Sequence, residues 1–368
     1  MKITKISVFK KNLPLKDPYW LSGGRLRFDV LDATFIKIET DADLVGWGEA
    51  TPWGHTYLPA HGPGVRAGVE TMAHAVLGLD PRQVNKVERA MDIALPGHLY
   101  AKAPIDMACW DIAAQAAGLP IADLLGGGYR EPILGASSIS SGTPDNIMAN
   151  IDAHRANGYR LHSIKVGANV DDDIARIHHI EERRRPDETT LYDVNRAWTR
   201  QQAVRVMNAT AHLNVRFEQP GETLDDLAAI SKKTNATFSV DEALHTILDM
   251  ARIAREGIAE MVCIKLNRVG GLTKAKRIRD LALAHDIDCY VMPTGGTVLA
   301  DAESLHLAST IPPERCLGLW ACQPLIAAEV AAGRGPRLTN GALTLPDEVG
   351  LGVAPDEETL GAVLAVYQ

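Results

Sequence analysis

Three carboxylates stand between two lysines on an almost regular ladder: Lys165, Asp193, Glu218, Asp241 and Lys265. Successive rungs lie 28, 25, 23 and 24 residues apart, about the length of one strand, one helix and two short loops. Each rung follows a short apolar or β-branched run, and a helix-like segment follows each rung. A single charge in such a place is ordinarily a surface residue at a helix start. Five on adjacent units point instead to the mouth of a β/α barrel, where strand C-termini converge. Asp193 (in LYDVN), Glu218 (RFEQP) and Asp241 (SVDE) would sit on consecutive strands and repel one another unless a cation neutralised them. Oxygen-only donors that leave room for water and substrate suit Mg²⁺. Lys165 and Lys265 would flank that cation on opposite sides. Partly desolvated and close to a divalent cation, a lysine is expected to lose basicity and become a usable base. A cation on a substrate carboxylate acidifies the neighbouring C–H by stabilising the enediolate. The chemistry predicted is abstraction of a proton α to a carboxylate.

The elements around the ladder divide the chain. Residues 1 to about 55 alternate as antiparallel strands (ITKISVFK, ATFIKIETD, DADLVGWGEA), broken by a loop, PYWLSGGRLRF. A second irregular loop, TPWGHTYLPAHGPG, precedes a helical stretch that includes AKAPIDMACWDIAAQAAGLPIADLLGGG. From Ile133 onward strand and helix alternate: ILGASSIS, LHSIKVG, TTLYDVN, VRFEQP, TFSVDE, MVCIKLN, DCYVMPT and CLGLW are the strand candidates. Eight strands with helices between them predict a closed parallel barrel. The tail from about Ala327, with GALTLPD as its strand-like segment, is expected to pack back on the first domain.

Bulk properties exclude several classes. A net charge of −8 offers no basic surface to nucleic acid or to an acidic membrane. No apolar stretch reaches the roughly 18 residues of a membrane span. The five cysteines are scattered in apolar runs without zinc-site spacing, as reduced thiols of a cytoplasmic protein would be.

These residues resemble a known family. AKAPIDMACWDIAAQAAGLPIADLLGGG, SIKVG, DVNRAW, FEQP, VDE and IKLNRVGGL together are similar to the enolase superfamily, in its mandelate racemase and muconate lactonizing enzyme branch. The resemblance runs the length of the chain. It implies a (β/α)7β TIM-like barrel over 131–325 under an α+β capping domain, with the cap drawn from 1–130 and a returning segment, 326–368. It implies that Asp193, Glu218 and Asp241 hold Mg²⁺, that Lys165 is the second lysine of the family's Lys-x-Lys element, and that Lys265 is the lysine of the sixth strand. Ser163 stands where the first lysine of that element would be, a departure that weakens the case for a lowered Lys165 pKa. Ser163, Asn195 and Glu242 are expected to support the ladder from beside it. The resemblance also implies a homo-oligomer and a small amino-acid substrate.

In that family two N-terminal loops close over the barrel and set specificity. Here they carry Tyr19, Trp20, Ser22, Trp53, His55, Tyr57 and His61, and the eighth strand ends in Trp320. The aromatics among them could hold a cationic nitrogen or simply pack cap on barrel. Packing is the expectation for Trp20 and Trp53. Tyr19, Ser22, His55, Tyr57 and Trp320 are candidates for substrate contact, with Thr294, Gly295, Gly296 and Thr297 at the end of the seventh strand. The wording of these loops resembles members acting on proline derivatives, either dehydratases of cis-3-hydroxy-L-proline or epimerases of proline betaines, and PYWLSGGR with PWGHTY is nearer the dehydratases. A non-catalytic amino-acid-binding barrel is the alternative from another class.

Overall fold

The computed structural model describes all 368 residues. Its first layer is an antiparallel sheet built on a long hairpin, β1 (Ile3–Leu21) and β2 (Leu26–Thr40), with β3 (Val45–Ala50) beside β2. Pairing runs out to Leu21 opposite Leu26. The segment PYWLSGGRLRF, expected to be a loop, is therefore the far end of a hairpin. Pro14 and Pro18 disguise it, and the pairing does lose register between Pro14 and Tyr19. The turn at Ser22–Gly24 has positive φ at all three residues.

Helices α1 (Gly62–Val76), α2 (Val84–Ala94) and α3 (Leu99–Ala117) cover one face of this sheet. Ile6, Val8, Ile36 and Ile38 meet Val69, Met72, Ile105 and Ile112 in a core of their own. α3 is buried on nearly every side because it lies between sheet and barrel. Glycine makes that approach possible: a Cβ at Gly48 would stand 2.1 Å from the Pro104 carbonyl oxygen. The helix ends at Gly118, in the left-handed conformation.

After a short strand, β4 (Ile133–Leu134), eight parallel strands follow in sequence order: β5 (Ala136–Ile139), β6 (Leu161–Lys165), β7 (Thr189–Asp193), β8 (Arg216–Glu218), β9 (Phe238–Val240), β10 (Met261–Lys265), β11 (Asp288–Met292) and β12 (Cys316–Leu319). A parallel bridge from Gly135 to Leu319 joins the last strand to the first. A helix follows each strand but the last, so the unit is (β/α)7β, as expected. Capping boxes Thr199/Gln202, Thr223/Asp226 and Thr246/Asp249 start three of those helices. Each cap ends a strand-to-helix loop and fixes where the following helix begins.

The tail differs in detail from expectation. GALTLPD does form a strand, β13 (Ala342–Leu343), but it pairs with β4, the short strand that precedes the barrel. The segment that joins the cap is β14 (Val363–Tyr367), antiparallel to β1. No helix is long and apolar enough to cross a membrane. All five cysteines are free, and only Cys316 is not fully buried.

Candidate active site

Lys165, Asp193, Glu218 and Lys265 are the last residues of β6, β7, β8 and β10, and Asp241 directly follows β9. All five converge at one end of the barrel, and none is more than 7 % exposed. The two lysines lie on strands separated by β7, β8 and β9, so the carboxylates stand between them in space as in sequence.

The pairings are specific. Lys165 Nζ binds the Asp193 carboxylate. Lys265 Nζ donates to Asp241 Oδ2 at 2.7 Å, and Arg268 binds the other Asp241 oxygen. Asp193 also accepts from the Asn195 backbone N–H at 2.9 Å and its side-chain amide at 3.1 Å. Glu218 differs: both its oxygens are buried and meet no hydrogen-bond donor. Its carboxylate, that of Asp241 and the Cys263 sulfur approach within 4.8 Å of one another, while Asp193 is drawn aside toward Lys165 and Asn195.

The electrostatics follow from these contacts. Burial, then Asp193 and Asp241, push Glu218 well above the usual carboxylate range. Asp241 goes the other way: burial opposes ionisation, but Lys265 and Arg268 outweigh it. Burial with Asp241 and Asp193 nearby raises Glu242 to about 7. A buried carboxylate with no donor is either protonated or facing a cation. A hard divalent cation therefore fits here: Glu218 lacks a partner, its neighbours are carboxylates, and the thiol of Cys263 is a poor ligand for such an ion.

The lysines depart from the sequence expectation of lowered basicity. Burial does lower the Lys165 amine, but Asp193 outweighs it and holds the amine above the ordinary lysine range; Asp241 does the same for Lys265. Basicity here follows the charge left on Asp193 and Asp241. A cation shared by those carboxylates would draw that charge off and reverse the shift.

Over this floor lies a small cavity lined by residues of both barrel and cap. Of the residues singled out from the sequence, Tyr19, Tyr57, Thr294 and Trp320 line it, and so do Ser163 and Asn195, which were expected beside the ladder rather than in the cavity. The cap supplies its roof in two places. The hairpin tip brings Ser22, whose hydroxyl donates to the Asn195 carbonyl at 2.9 Å, and Gly23, where a Cβ would stand 2.4 Å from the Gly167 carbonyl oxygen. The second loop brings Tyr57, which donates to Glu242 at 2.8 Å and accepts from Lys265 at 3.3 Å. Arg196 seats that loop, donating to the Tyr57 carbonyl at 2.5 Å with its guanidinium 5.5 Å from the ring centroid.

Several expected contacts fall elsewhere. His55 is exposed and does not line the cavity. Gly295 packs under Trp53 and Leu31, and Gly296 and Thr297 lie against Glu49 of the cap, where Thr297 Oγ1 donates at 2.6 Å. Trp20 is 38 % exposed under Arg27 rather than packed between domains. Trp53 packs on Tyr19, Phe28 and Trp320 but lines the cavity as well. Sequence reading missed Leu21, Tyr290, Met292 and Arg268. The alternation of DCYVM, which turns Tyr290 and Met292 to the same side, was the signal available for two of them.

Residues 3–126 match the mandelate racemase / muconate lactonizing enzyme N-terminal domain, and residues 146–359 match the enolase C-terminal domain-like family. The chain is 37 % identical over 368 residues to the cis-3-hydroxy-L-proline dehydratase of Roseibium aggregatum, with 100 % of both chains covered. A solved structure from Silicibacter pomeroyi, assigned to the mandelate racemase/muconate lactonizing enzymes, is 62 % identical with a TM-score of 0.97, over 100 % of this chain and 99 % of that one. A member of the enolase superfamily from Roseovarius nubinhibens, solved in complex with magnesium, is 46 % identical with a TM-score of 0.96 over the same shares.

Proposed function

The chain belongs to the enolase superfamily, in its mandelate racemase and muconate lactonizing enzyme branch, and from that premise we propose that it dehydrates cis-3-hydroxy-L-proline to Δ1-pyrroline-2-carboxylate with Mg²⁺ bound. The observation that carries this reading is a pair of lysines across one roofed cavity, with a partnerless carboxylate between them. The full-length likeness to a dehydratase of that substrate supports it.

Asp193, Glu218 and Asp241 would hold Mg²⁺, which when bound draws charge from the substrate carboxylate and acidifies its α-proton. In cis-3-hydroxy-L-proline the hydroxyl shares a ring face with the carboxylate, so the α-proton lies on the opposite face. One lysine, as the neutral amine, takes that proton. The other, as the ammonium, gives its proton to the hydroxyl as the C–O bond breaks, and water leaves. The enamine then tautomerises to the cyclic imine. Tyr19, Trp53 and Trp320 close the roof and keep bulk water from the reacting carbons.

The same opposed lysines would racemise or epimerise a substrate without a leaving group, a proline betaine for instance. The Tyr57 ring, 5.4 Å from one ammonium already, is the feature that favours this second reading, through a cationic nitrogen. A non-catalytic binding role leaves the retention of both lysines and all three carboxylates without a reason. We also propose that the protein assembles as a homo-oligomer.

The test is incubation with Mg²⁺ and cis-3-hydroxy-L-proline. A product that reacts with o-aminobenzaldehyde is expected, and its absence removes the dehydratase reading. Exchange of the α-proton in D₂O without elimination would move the reading to an epimerase.

A further inference from the structure

We propose that the hydroxyls of Tyr290 and Ser163 form a subsite for the ring hydroxyl of the substrate, which makes Tyr290 a specificity-determining residue for hydroxylated over unsubstituted cyclic amino acids. The inference deepens the proposed function and rests on it for the substrate class.

Tyr290 lies on β11, in register with Cys263 of β10 and Gly318 of β12. It stands two residues before the strand end, Met292, and Ser163 stands two residues before Lys165 on β6. In a barrel this spacing puts both side chains on the inward face, one layer beneath the residues of the mouth. Both line the cavity. The short side chain at 163 leaves that layer open where a longer one would fill it.

Tyr290 is fully buried, yet its hydroxyl meets no partner in the protein. Buried hydroxyls are ordinarily satisfied, and one that borders a binding cavity is poised to bond what enters. As a neutral phenol it donates to an oxygen. Ser163 shares β6 with Lys165, so the serine end of the subsite lies on the Lys165 side. An oxygen held there is next to the ammonium that must protonate it. In that order Lys265 takes the α-proton and the C–H electrons become the new C=C bond. The C–O electrons leave with oxygen, and Lys165 supplies the proton that completes water. A site that hydrogen-bonds a substrate hydroxyl discriminates against the analogue lacking it, because its own donor is then left unpaired.

The experiment compares the affinities of cis-3-hydroxy-L-proline and L-proline for the Mg²⁺-loaded full chain, by calorimetry, in the wild type, Tyr290→Phe and Ser163→Ala. The preference for the hydroxylated ligand is expected to fall about tenfold or more in Tyr290→Phe, the effect of one hydrogen bond in a dry site, and by a smaller factor in Ser163→Ala. A purely structural role would weaken both ligands alike. A preference unchanged in Tyr290→Phe overturns the proposal. Dehydration is assayed separately: a wild type that shows the preference without turnover defeats the dehydratase reading and leaves the subsite standing. A wild type that turns over the substrate while Tyr290→Phe keeps the full preference defeats only the subsite.

Discussion

The floor of the site and its roof are built by opposite rules. The floor is charged. Its five groups sit at or directly after parallel strand ends, each partnered by a neighbour except Glu218. The roof is aromatic, and its contacts run among its own members: Trp53 meets Tyr19, Phe28 and Trp320 at centroid distances of 5.2, 6.1 and 5.8 Å. Floor groups are fixed by strand register, whereas roof groups are fixed by packing. The floor therefore sets the reaction class, and the roof sets what can be presented to it. The two meet at few points, chiefly Tyr57 on Lys265 and Glu242, and Ser22 on the Asn195 carbonyl.

The largest expected effects come from the floor. Removing divalent cations with EDTA should cost ~10³-fold or more in turnover, restored by Mg²⁺. Mg²⁺ should also raise the melting temperature, because it offsets the repulsion around Glu218. Glu218→Gln should abolish that thermal response as well as activity. The lysines should separate in kind. Lys265→Ala should stop both elimination and α-proton exchange in D₂O. Lys165→Ala should stop elimination by a similar ~10³-fold while exchange persists. The reverse pattern would exchange their roles.

At the junction the effects should be smaller. Tyr57→Phe removes a hydroxyl bonded to Glu242 at 2.8 Å and to Lys265 at 3.3 Å, with the ring kept. A fall of about tenfold in kcat with KM little changed is expected, since the lost bond orients Lys265, the proposed base, rather than holding the substrate. A change confined to KM would mean that Tyr57 belongs to the roof alone.

How legible these regions were in the sequence follows the same division. Strand-end residues recur with the βα period, so Lys165, Asp193, Glu218, Asp241 and Lys265 could be named with their mutual order. Asn195 and Glu242 follow from adjacency to them. Roof residues have no period. Trp20 and Trp53 are both aromatics on the covering segments, yet one is 38 % exposed and the other 4 %, because only pairing at long sequence separation decides where the hairpin turns. Tyr290 was hidden for another reason: an inward tyrosine on a barrel strand reads as core until its hydroxyl is seen to lack a partner. The sign of the lysine shifts also lay beyond sequence, since it depends on which carboxylate each amine touches.

The pH dependence of cap docking tests the junction away from the chemistry. Asp106 of α3 accepts from the Thr273 backbone N–H at 2.9 Å, on the barrel helix Leu272–Ala284, and burial raises its carboxyl to about 6. The folded state keeps a proton that the unfolded chain releases near pH 4. The contribution of Asp106 to stability is thus present below about pH 4 and lost as pH rises through 6. Between pH 4 and 7 the wild type should lose up to about 3 kcal/mol relative to Asp106→Asn, measured by denaturant unfolding at each pH. A difference independent of pH would mean that the carboxyl ionises in the folded protein as easily as in water.

The smallest effect is expected at His55, and it separates the two regions most economically. Its place in PWGHTY, two residues from Tyr57 and two from Trp53, made it a candidate for substrate contact. Trp53 and Tyr57 are buried and line the cavity, while His55 between them is exposed. The loop turns His55 away from the side that Trp53 and Tyr57 share, which adjacency in sequence cannot report. His55→Ala should change kcat/KM for the proposed substrate, cis-3-hydroxy-L-proline, by less than about twofold, because the side chain is exposed and does not line the cavity. A loss as large as that of Tyr57→Phe would show that the loop closes further over bound substrate and carries His55 into the roof, and the roof would then have to be treated as a moving part set against a fixed floor.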